Sequence, residues 1–431
     1  MIPLSDIAAI VGGHWLAKGT GEVRGASIDT RDLQAGQAFF ALPGAHTDGH
    51  DFIHRAAEQN AGVAVVERDV PVQQGLPMLR VGSVRAALWD LAVHYRNTLS
   101  ARTIAVMGSN GKTTTVRMLH SVLGGTIKTH ASARSFNNAL GLPLTILNCP
   151  IDAQALICEL GEGEPGALAR YVALARPDIA IVTSIGRAHV GELGGQAAVR
   201  AEFDTSIAAL PTNARAAMPD STEALEAPDA ARVAAPRAWH ESDQAHFELG
   251  DGSSWRLPVA GEHNAQNAAV VIRVARSMGL DDDVIARGLR HFEPADMRLA
   301  MRVVGGARVR VDCYYANPVA VAAALRTLGE LAQGARTVAV LGDMLELGTD
   351  STTWHREMID HALRVTDECV FVGPLCQDAC RTVNATCFAS AEQAHAHVAG
   401  LLRPGTIALL KGSRGIALER LLENTGESVV A

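Results

Sequence analysis

The most constraining feature of this sequence is a glycine-rich turn that follows an apolar run and opens a helix. The run Thr103–Met107 is predicted to be a buried strand, and Gly108-Ser-Asn-Gly-Lys-Thr-Thr-Thr115 comes directly after it. Glycines let backbone N–H groups turn inward, and the start of the following helix, over Val116–Leu123, adds a potential that favours anions. The turn therefore predicts a phosphate-binding loop, in which Lys112 reaches the β- and γ-phosphates of a nucleotide and Thr113 binds Mg²⁺.

This loop is shorter than the standard phosphate-binding pattern. Val106 stands where GxxxxGK[ST] has its first glycine. The alternative interpretation is an ordinary glycine turn before a helix, with a lysine present by chance. The Gly-Lys-Thr-Thr core, placed between a strand and a helix, favours phosphate binding. By itself the loop leaves kinase, GTPase, transport ATPase and ligase open.

Alternating apolar runs and helical patterns indicate an α/β fold in three domains, because 431 residues exceed what one core usually serves. We expect a small N-terminal α/β domain (1–98), a central P-loop domain with a mainly parallel sheet (99–300) and a C-terminal Rossmann-like domain (301–431). Residues 210–258 look less regular and are expected to form a peripheral excursion. The strands behind this expectation are Gly62–Glu67, Ala155–Glu159, Asp178–Thr183, Val309–Asp312, Thr337–Leu341, Cys369–Val372 and Thr406–Leu410.

Charge and hydropathy exclude some functional classes. The formal net charge of −8 argues against a protein that binds nucleic acid by neutralising phosphates. The start of the chain lacks a basic segment and carries Asp6 in its apolar stretch, unlike a secretory signal. Runs of about 18 uncharged apolar residues, which a membrane span needs, are absent from the sequence. We therefore expect a cytoplasmic protein, and a monomer.

The seven cysteines do not form the pattern of a disulfide framework in a chain of this length. Cys376, Cys380 and Cys387 lie close together in sequence, which invites a metal-site interpretation. They lack the CxxC pairs of common zinc sites, so we expect reduced, partly buried thiols.

Motifs along nearly the whole chain resemble the Mur ligase family, and the resemblance is specific. The loop Gly-Ser-Asn-Gly-Lys-Thr-Thr is similar to that of Mur ligases and of folylpolyglutamate synthetases. The further segments that match the family, in its order, are Ser27-Ile-Asp-Thr-Arg31, Thr47-Asp-Gly-His-Asp-Phe52, Ser135-Phe-Asn-Asn-Ala-Leu-Gly-Leu-Pro143, Glu159-Leu-Gly161, Ile185-Gly-Arg-Ala-His189, Gly261-Glu-His-Asn264, Tyr315-Ala-Asn-Pro318, Val340-Leu-Gly-Asp-Met-Leu-Glu-Leu-Gly348 and Lys411-Gly-Ser-Arg-Gly415. The similarity is greatest to the branch that adds D-alanyl-D-alanine to a UDP-N-acetylmuramoyl tripeptide.

The resemblance implies an ADP-forming ligase of peptidoglycan precursor synthesis, with ATP and Mg²⁺ as cofactors. Its implied substrates are a UDP-sugar peptide that carries a carboxylate and an amino acid or dipeptide that supplies the amine. A free carboxylate has a poor leaving group, which phosphorylation by ATP corrects, and the amine then attacks the acyl phosphate. The protein must hold these groups in line and neutralise the charge that accumulates.

Site residues follow from the resemblance, position by position. Taken without it, Glu159 would be interpreted as a solvated carboxylate and His189 as a loop histidine. The candidates for ATP binding are Gly108, Ser109, Asn110, Gly111, Lys112, Thr113, Thr114, His263, Asn267, Arg298 and Asp312. The candidates for Mg²⁺ binding are Thr113, Glu159, His189 and Glu202. The catalytic candidates are Lys112, Asn138, His189, Glu202, Lys411 and Arg414. The substrate candidates are Ser27, Thr30, Arg31, Thr47, Asp48, His50, Asn137, Tyr315, Asn317 and Ser413.

Departures from the family pattern cluster around the metal and the acceptor. Where the family carries a lysine modified to a metal-binding carbamate, this chain is expected to place Glu202, whose carboxylate could serve unmodified. Arg187 stands where proline is usual, Tyr315 where asparagine is usual, and Val319 where aspartate is usual. A paralogue that ligates a different carboxylate and amine therefore stays open. A non-catalytic ATP-binding homologue would be expected to lack Lys112, Glu159 or His189, and this chain has all three.

Overall fold

Three α/β units follow one another along the chain, each built on its own sheet. The computed structural model describes residues 1–44, 47–132, 135–186, 190–222, 230–241, 243–383, 385–423 and 428–429. In this described part, no helix is both long enough and apolar enough to cross a bilayer.

The first unit is a five-stranded sheet with helices packed against it. In spatial order its strands are His14–Ala17, Met78–Arg80, Val63–Val66, Ala38–Phe40 and Ala26–Ser27, and only the first runs antiparallel to its neighbour. A separate pair joins Ile2–Pro3 to Glu22–Val23. The helices are Leu4–Ile10, Ile53–Glu58 and Val84–Arg96, with a 3₁₀ turn at Gly49–Phe52.

The central unit is a six-stranded parallel sheet, whose strands are buried apolar runs as such sheets require. In spatial order they are Ala231–Val233, Arg215–Pro219, Ile179–Val182, Arg102–Met107, Ala155–Glu159 and Thr129–Ala131. The helices are Lys112–Gly124, Gly141–Leu147, Ala167–Ala175, Val190–Leu193, Gln196–Ala208, Glu262–Ser277 and Asp282–Arg290, with a 3₁₀ turn at Asp220–Thr222.

The segment expected to be a less regular excursion contains a small sheet of its own. Three antiparallel strands, Arg237–Glu241, Gln244–Glu248 and Ser254–Leu257, form a meander beside the parallel sheet. Its inner face buries Phe247 and Leu257 completely. The expectation of irregular structure was therefore wrong here, because alternate apolar side chains give these strands a buried face.

The third unit is a seven-stranded sheet, parallel except at one edge. In spatial order its strands are Thr386–Phe388, Glu368–Val372, Arg336–Gly342, Thr406–Lys411, Ala307–Asp312, Ala300–Val304 and Ser428–Val429. The helices are Pro318–Ala332, Ser351–Val365, Pro374–Ala379 and Ala391–Leu401, with 3₁₀ turns at Gly348–Asp350, Cys380–Thr382, Arg414–Ile416 and Leu418–Leu422. The parallel strands place their carboxyl ends at one edge, where α/β sheets bind ligands.

The first and central units share one apolar core. Helix Val84–Arg96 packs against helix Gly141–Leu147, and their buried side chains belong to a single cluster. Asn148 closes the junction: its Oδ1 accepts from Ala26 N at 3.1 Å and its Nδ2 donates to Ala26 O at 2.8 Å. Because the amide also accepts from Gln37 Nε2 at 2.8 Å, polar contacts as well as apolar burial fix the first unit on the central one.

Two of the cysteines in the third unit are paired. Cys380 and Cys387 form a disulfide, so the expectation that they are reduced thiols was wrong. Their separation of seven residues is bridged because a 3₁₀ turn leads back into an edge strand. Cys376 is a free buried thiol beside Asp343, whose carboxylate accepts from Cys376 N at 2.7 Å and from Leu375 N at 3.0 Å and so caps a helix.

Candidate active site

The phosphate loop lies between the central strand of the parallel sheet and helix Lys112–Gly124, as predicted. Gly108 has φ +138°, and a Cβ there would lie 2.1 Å from Thr183 Oγ1, so a side chain is excluded. Gly111 has φ +86°, and a Cβ would lie 2.7 Å from Asn267 Nδ2. The two glycines therefore let the loop pack closely against the neighbouring strand end and against the helix that carries Asn267.

Lys112 is paired with a buried carboxylate. Its Nζ donates to Glu162 Oε2 at 2.9 Å and to Gly108 O at 2.5 Å. The side chain of Glu162 has no exposed surface, and its Oε1 has no hydrogen-bond partner among the described residues. Glu162 was not among the predicted site residues; its signal was a second acidic residue directly after the strand that ends at Glu159. The ammonium group is thus held close to the loop and paired with a buried carboxylate.

Glu159 lies at the carboxyl end of its strand, with 1% of its surface exposed, and it lines the cavity next to the phosphate loop. Its Oε1 accepts from Asn137 Nδ2 at 2.8 Å, and its Oε2 is buried without a hydrogen-bond partner in the part of the chain that the structure describes. Thr113 Oγ1 lies 3.0 Å from Ser135 Oγ. A buried carboxylate with an unpartnered oxygen favours a bound cation, so the donor set fits the predicted metal.

The third unit closes over the phosphate loop. Asn317 caps helix Pro318–Ala332 by accepting from Ala320 N at 2.8 Å, and its Nδ2 donates to Asn110 Oδ1 at 2.9 Å. Lys411 is buried, and its Nζ donates to Asp312 at 2.7 Å and to Tyr315 O at 2.9 Å. Residues about 200 positions apart in sequence therefore meet at the strand ends of two different sheets.

A cluster of cations and one aromatic ring faces the loop from the third unit. The Arg298 guanidinium lies 4.4 Å from the centre of the Tyr314 ring, a cation–π contact. Arg310, which the sequence did not single out, is 3% exposed and donates to Ala260 O at 2.7 Å. Burial lowers the pKa of Arg310. Its signal was its position on the same face of the strand as Asp312, two residues away.

His263 is neutral at ordinary pH. Burial, together with the positive charge of Arg310, lowers the pKa of its imidazole to about 4, and its Nδ1 has no hydrogen-bond partner within the described ranges. The ring lines the same cavity as Asn267 and the phosphate loop. A neutral imidazole with a free nitrogen beside phosphate-binding groups can take part in recognising a nucleobase or ribose.

These groups surround one cavity of about 620 Å³. The size lies within the range of small-molecule sites. Of the predicted site residues in the described part of the chain, those that line it are Ser109, Asn110, Gly111, Lys112, Thr113, Thr114, Asn137, Glu159, His263, Asn267, Arg298, Asp312, Tyr315, Lys411, Ser413 and Arg414.

Several predicted residues lie elsewhere. Asn138 caps helix Gly141–Leu147 by accepting from Leu140 N and Gly141 N at 3.1 and 2.9 Å, and it does not line the cavity. Both oxygens of Glu202 are engaged, by Gly166 N at 2.7 Å and by Leu168 N at 2.8 Å. A metal role for Glu202 stays a prediction, which would require its carboxylate to leave these amides. His189 and Arg187 lie outside the described residues.

The candidates in the first unit form local contacts away from this cavity. Asp48 accepts from His50 N at 2.9 Å, which lowers the pKa of its carboxyl to about 2, and it caps the 3₁₀ turn Gly49–Phe52. Arg31 forms hydrogen bonds with Asp29. Ser27 and Thr30 are buried, and Thr47 is exposed. Their assignment to a UDP-sugar stays a prediction.

Comparison with known proteins agrees with this geometry along the whole chain. Three family models match: the Mur ligase family catalytic domain over residues 22–96, the Mur ligase middle domain over 106–275 and the Mur ligase glutamate ligase domain over 297–414.

Relatives and solved structures point the same way. The UDP-N-acetylmuramoyl-tripeptide–D-alanyl-D-alanine ligase of Bacillus subtilis is 31% identical over 78% of this chain and 76% of its own length, and that of Escherichia coli is 32% identical over 78% and 79%. The structure of MurF from Acinetobacter baumannii covers 98% of both chains at 28% identity with a TM-score of 0.85. MurF from Thermotoga maritima in complex with ADP covers 93% of this chain and 96% of its own at 25% identity, with a TM-score of 0.81.

These comparisons confirm the predicted three-domain α/β fold and the resemblance read from the motifs. The chain belongs to the Mur ligase family, and within it the chain is similar to MurF.

Proposed function

We propose that this chain is an ATP-dependent ligase that joins D-alanyl-D-alanine to a UDP-N-acetylmuramoyl tripeptide in peptidoglycan precursor synthesis. The observation that carries the proposal is that the phosphate loop, Glu159 and the basic residues of the third unit share one cavity. The relatives that carry this activity in their names align over most of the chain.

The reaction proceeds in two steps within the cavity. The carboxylate of the tripeptide attacks the γ-phosphorus of ATP, which gives an acyl phosphate and ADP. The amine then attacks the acyl carbon, the C–O bond to phosphate breaks, and the amine loses a proton. Lys112 turns from Glu162 towards the transferring phosphate, and Lys411 and Arg414 add positive charge from the third unit, where negative charge develops.

Mg²⁺ would be held by Thr113 beside the phosphates and by Glu159 at the reacting group. Glu159 Oε2, which has no hydrogen-bond partner among the described residues, and the Thr113 hydroxyl are oxygen donors of the kind that a hard cation prefers. When bound, the ion neutralises the charge that accumulates on the phosphoryl oxygens. Asn137 orients Glu159 by donating to its Oε1 at 2.8 Å, which would leave Oε2 available to bind the ion.

A second candidate function is ligation of a different carboxylate and amine by the same chemistry. Tyr315 and Val319 line the cavity at positions where the family usually has polar residues. Burial raises the pKa of the Tyr315 hydroxyl, so this side chain is a neutral, bulky wall. Such a wall narrows the space for the amine partner and favours a small amino acid.

The deciding experiment measures phosphate release from ATP with Mg²⁺ and UDP-N-acetylmuramoyl tripeptide, with and without D-alanyl-D-alanine, and determines the product mass. Release that requires both substrates, with the mass of the condensed product, establishes the proposed reaction. Absence of release with this pair, together with release for another carboxylate and a small amino acid, establishes the second candidate instead.

A further inference from the structure

Two carboxylates, each with an unpartnered oxygen, lie after the same strand of the central sheet. Glu159 and Glu162 are 1% and 3% exposed. Within the described part of the chain, Glu159 Oε2 and Glu162 Oε1 have no hydrogen-bond partner. Only Glu159 lines the cavity; the other carboxylate is reached through Lys112, whose ammonium contacts it at 2.9 Å. Burying an ionised carboxylate costs free energy unless a cation or hydrogen bonds compensate its charge. Glu159 Oε2 and Glu162 Oε1 are therefore expected to have a ligand that compensates them.

Binding of a nucleotide would remove the cation that contacts Glu162 among the described residues, which is Lys112. In a phosphate loop the lysine turns to the β- and γ-phosphates. Lys112 would then leave Glu162 Oε2, and both oxygens of this buried carboxylate would lack a hydrogen-bond partner among the residues that the structure describes. A second cation next to Glu162 would again compensate the negative charge of its carboxylate. The divalent ion that accompanies ATP arrives in the same step as the nucleotide.

Glu202, by contrast, uses both carboxylate oxygens in hydrogen bonds to the backbone. Its two oxygens accept from Gly166 N and Leu168 N at the start of helix Ala167–Ala175. A carboxylate so placed is stabilised by the backbone amides and by the helix dipole. Moving it to an ion would leave these amides unpaired.

We propose that Glu162, and not Glu202, is the second carboxylate that holds the divalent cation at the transferring phosphate, together with Glu159. The inference rests on the proposed function, because it assumes that ATP draws Lys112 to its phosphates. Glu162 accepts a hydrogen bond from the ammonium of Lys112 at 2.9 Å, and in the nucleotide complex the same carboxylate would bind the ion. Glu162 would thus have a positively charged partner both before and after the nucleotide binds.

The test measures Mn²⁺ binding directly, by electron paramagnetic resonance, with a non-hydrolysable ATP analogue and correction for Mn²⁺ bound by the analogue alone. Glu162→Gln keeps an oxygen for Lys112 but removes the negative charge. We expect it to weaken Mn²⁺ binding at least tenfold, on the order of what loss of a metal-supporting group costs. Glu164→Gln is the matched control, because Glu164 lies in the same loop with its side chain 72% exposed, and it should change the affinity less than twofold.

Glu202→Gln separates the two carboxylates, and we expect it to leave the Mn²⁺ affinity within twofold. The proposal is overturned if Glu162→Gln binds Mn²⁺ as Glu164→Gln does, or if only Glu202→Gln shows the loss. If Glu162→Gln does not fold, Mn²⁺ binding is compared between Lys112→Met and the double variant Lys112→Met/Glu162→Gln. The double variant has lost both members of the ion pair, so neither a positive nor a negative charge is left unpaired. Product formation by the unsubstituted enzyme is assayed separately. If Glu162→Gln loses Mn²⁺ binding but the unsubstituted enzyme forms no ligated product, the cation site is supported and the proposed substrates are refuted.

Discussion

At the scale of single residues, Lys112 has a structural role in addition to the chemical role that we propose for it. Among the residues that the structure describes, its ammonium is the hydrogen-bond partner of the buried Glu162 carboxylate, at 2.9 Å. Removing one member of a buried ion pair leaves an uncompensated charge, which costs more than the pair itself contributes. Stability and catalysis are therefore coupled at this side chain, and a double substitution can separate them.

We predict that Lys112→Ala abolishes ATP-dependent ligation and lowers the free energy of unfolding by about 3–5 kcal/mol, the usual cost of an unpaired buried charge. Lys112→Ala/Glu162→Gln should regain most of that stability without regaining turnover. Urea denaturation and phosphate release measure the two effects. Undiminished turnover in Lys112→Ala would refute the phosphate assignment, and a double variant no more stable than the single one would refute the coupling.

His263 makes stability depend on pH in the acidic range. Its pKa is about 4 in the folded protein and 6.5 in the reference state, so between these values the unfolded chain binds a proton that the folded chain does not. The stabilisation is fully present above pH 6.5 and is lost as the pH falls towards 4, by up to about 1.4 kcal/mol per pH unit. We predict a flatter profile for His263→Gln in urea denaturation at pH 7, 5.5 and 4.5. Parallel profiles for the two proteins would contradict this.

Much of the site could be predicted at the residue scale, because short motifs carry it. The glycine loop fixed the place of Lys112 and Thr113, and the family motifs added Glu159 and Lys411, all of which line one cavity. Glu162 escaped prediction because an acidic residue in a loop is usually solvated, and only the packing shows that it is buried.

At the scale of elements, buried parallel strands were predicted well, because their apolar runs are continuous. Ala155–Glu159 has the predicted bounds, and Thr406–Lys411 differs by one residue. The meander Arg237–Leu257 was missed, since its half-exposed strands carry charged residues such as Arg237 and Glu241 on the outer face. Its period-two alternation was the available signal. Caps between elements could not be predicted, because they depend on which helices meet.

Glu202 is such a cap between two helices. It lies in Gln196–Ala208 and accepts from two amides at the start of Ala167–Ala175. We predict that Glu202→Gln lowers the free energy of unfolding by about 1–2 kcal/mol, because glutamine offers one acceptor oxygen and no charge. Turnover should stay near that of the unsubstituted protein and should not respond to bicarbonate. A loss of turnover that exceeds the loss of folded protein would restore the metal role of Glu202.

At the scale of the whole molecule, the cavity exists because the third unit lies against the central one. Asn317 contacts Asn110 across this boundary, and Tyr315 O accepts from Lys411 at its edge. Contacts between residues about 200 positions apart could not be predicted from local patterns, because neither segment carries a sequence signal that indicates which segment it contacts. Closure of this kind completes a site whose groups come from different domains.

The central and third units approach each other closely at two glycines, Gly191 and Gly348. A Cβ on Gly191, in helix Val190–Leu193 of the central unit, would lie 2.5 Å from Gly348 N in the third unit. Gly348 has φ +66°, and a Cβ there would lie 2.7 Å from Gly191 Cα. Neither position therefore accepts a side chain unless the units move apart.

We predict that Gly191→Ala keeps the individual units folded but lowers kcat for ligation at least tenfold, because a 1 Å displacement of catalytic groups is enough for such a loss. Gly124→Ala is the control: a Cβ at Gly124 meets nothing within 4 Å, so its turnover should be unchanged. Small-angle scattering with a non-hydrolysable ATP analogue should show a larger radius of gyration for Gly191→Ala than for Gly124→Ala. Equal radii and equal turnover would mean that this contact does not determine closure, and that the units meet productively without it.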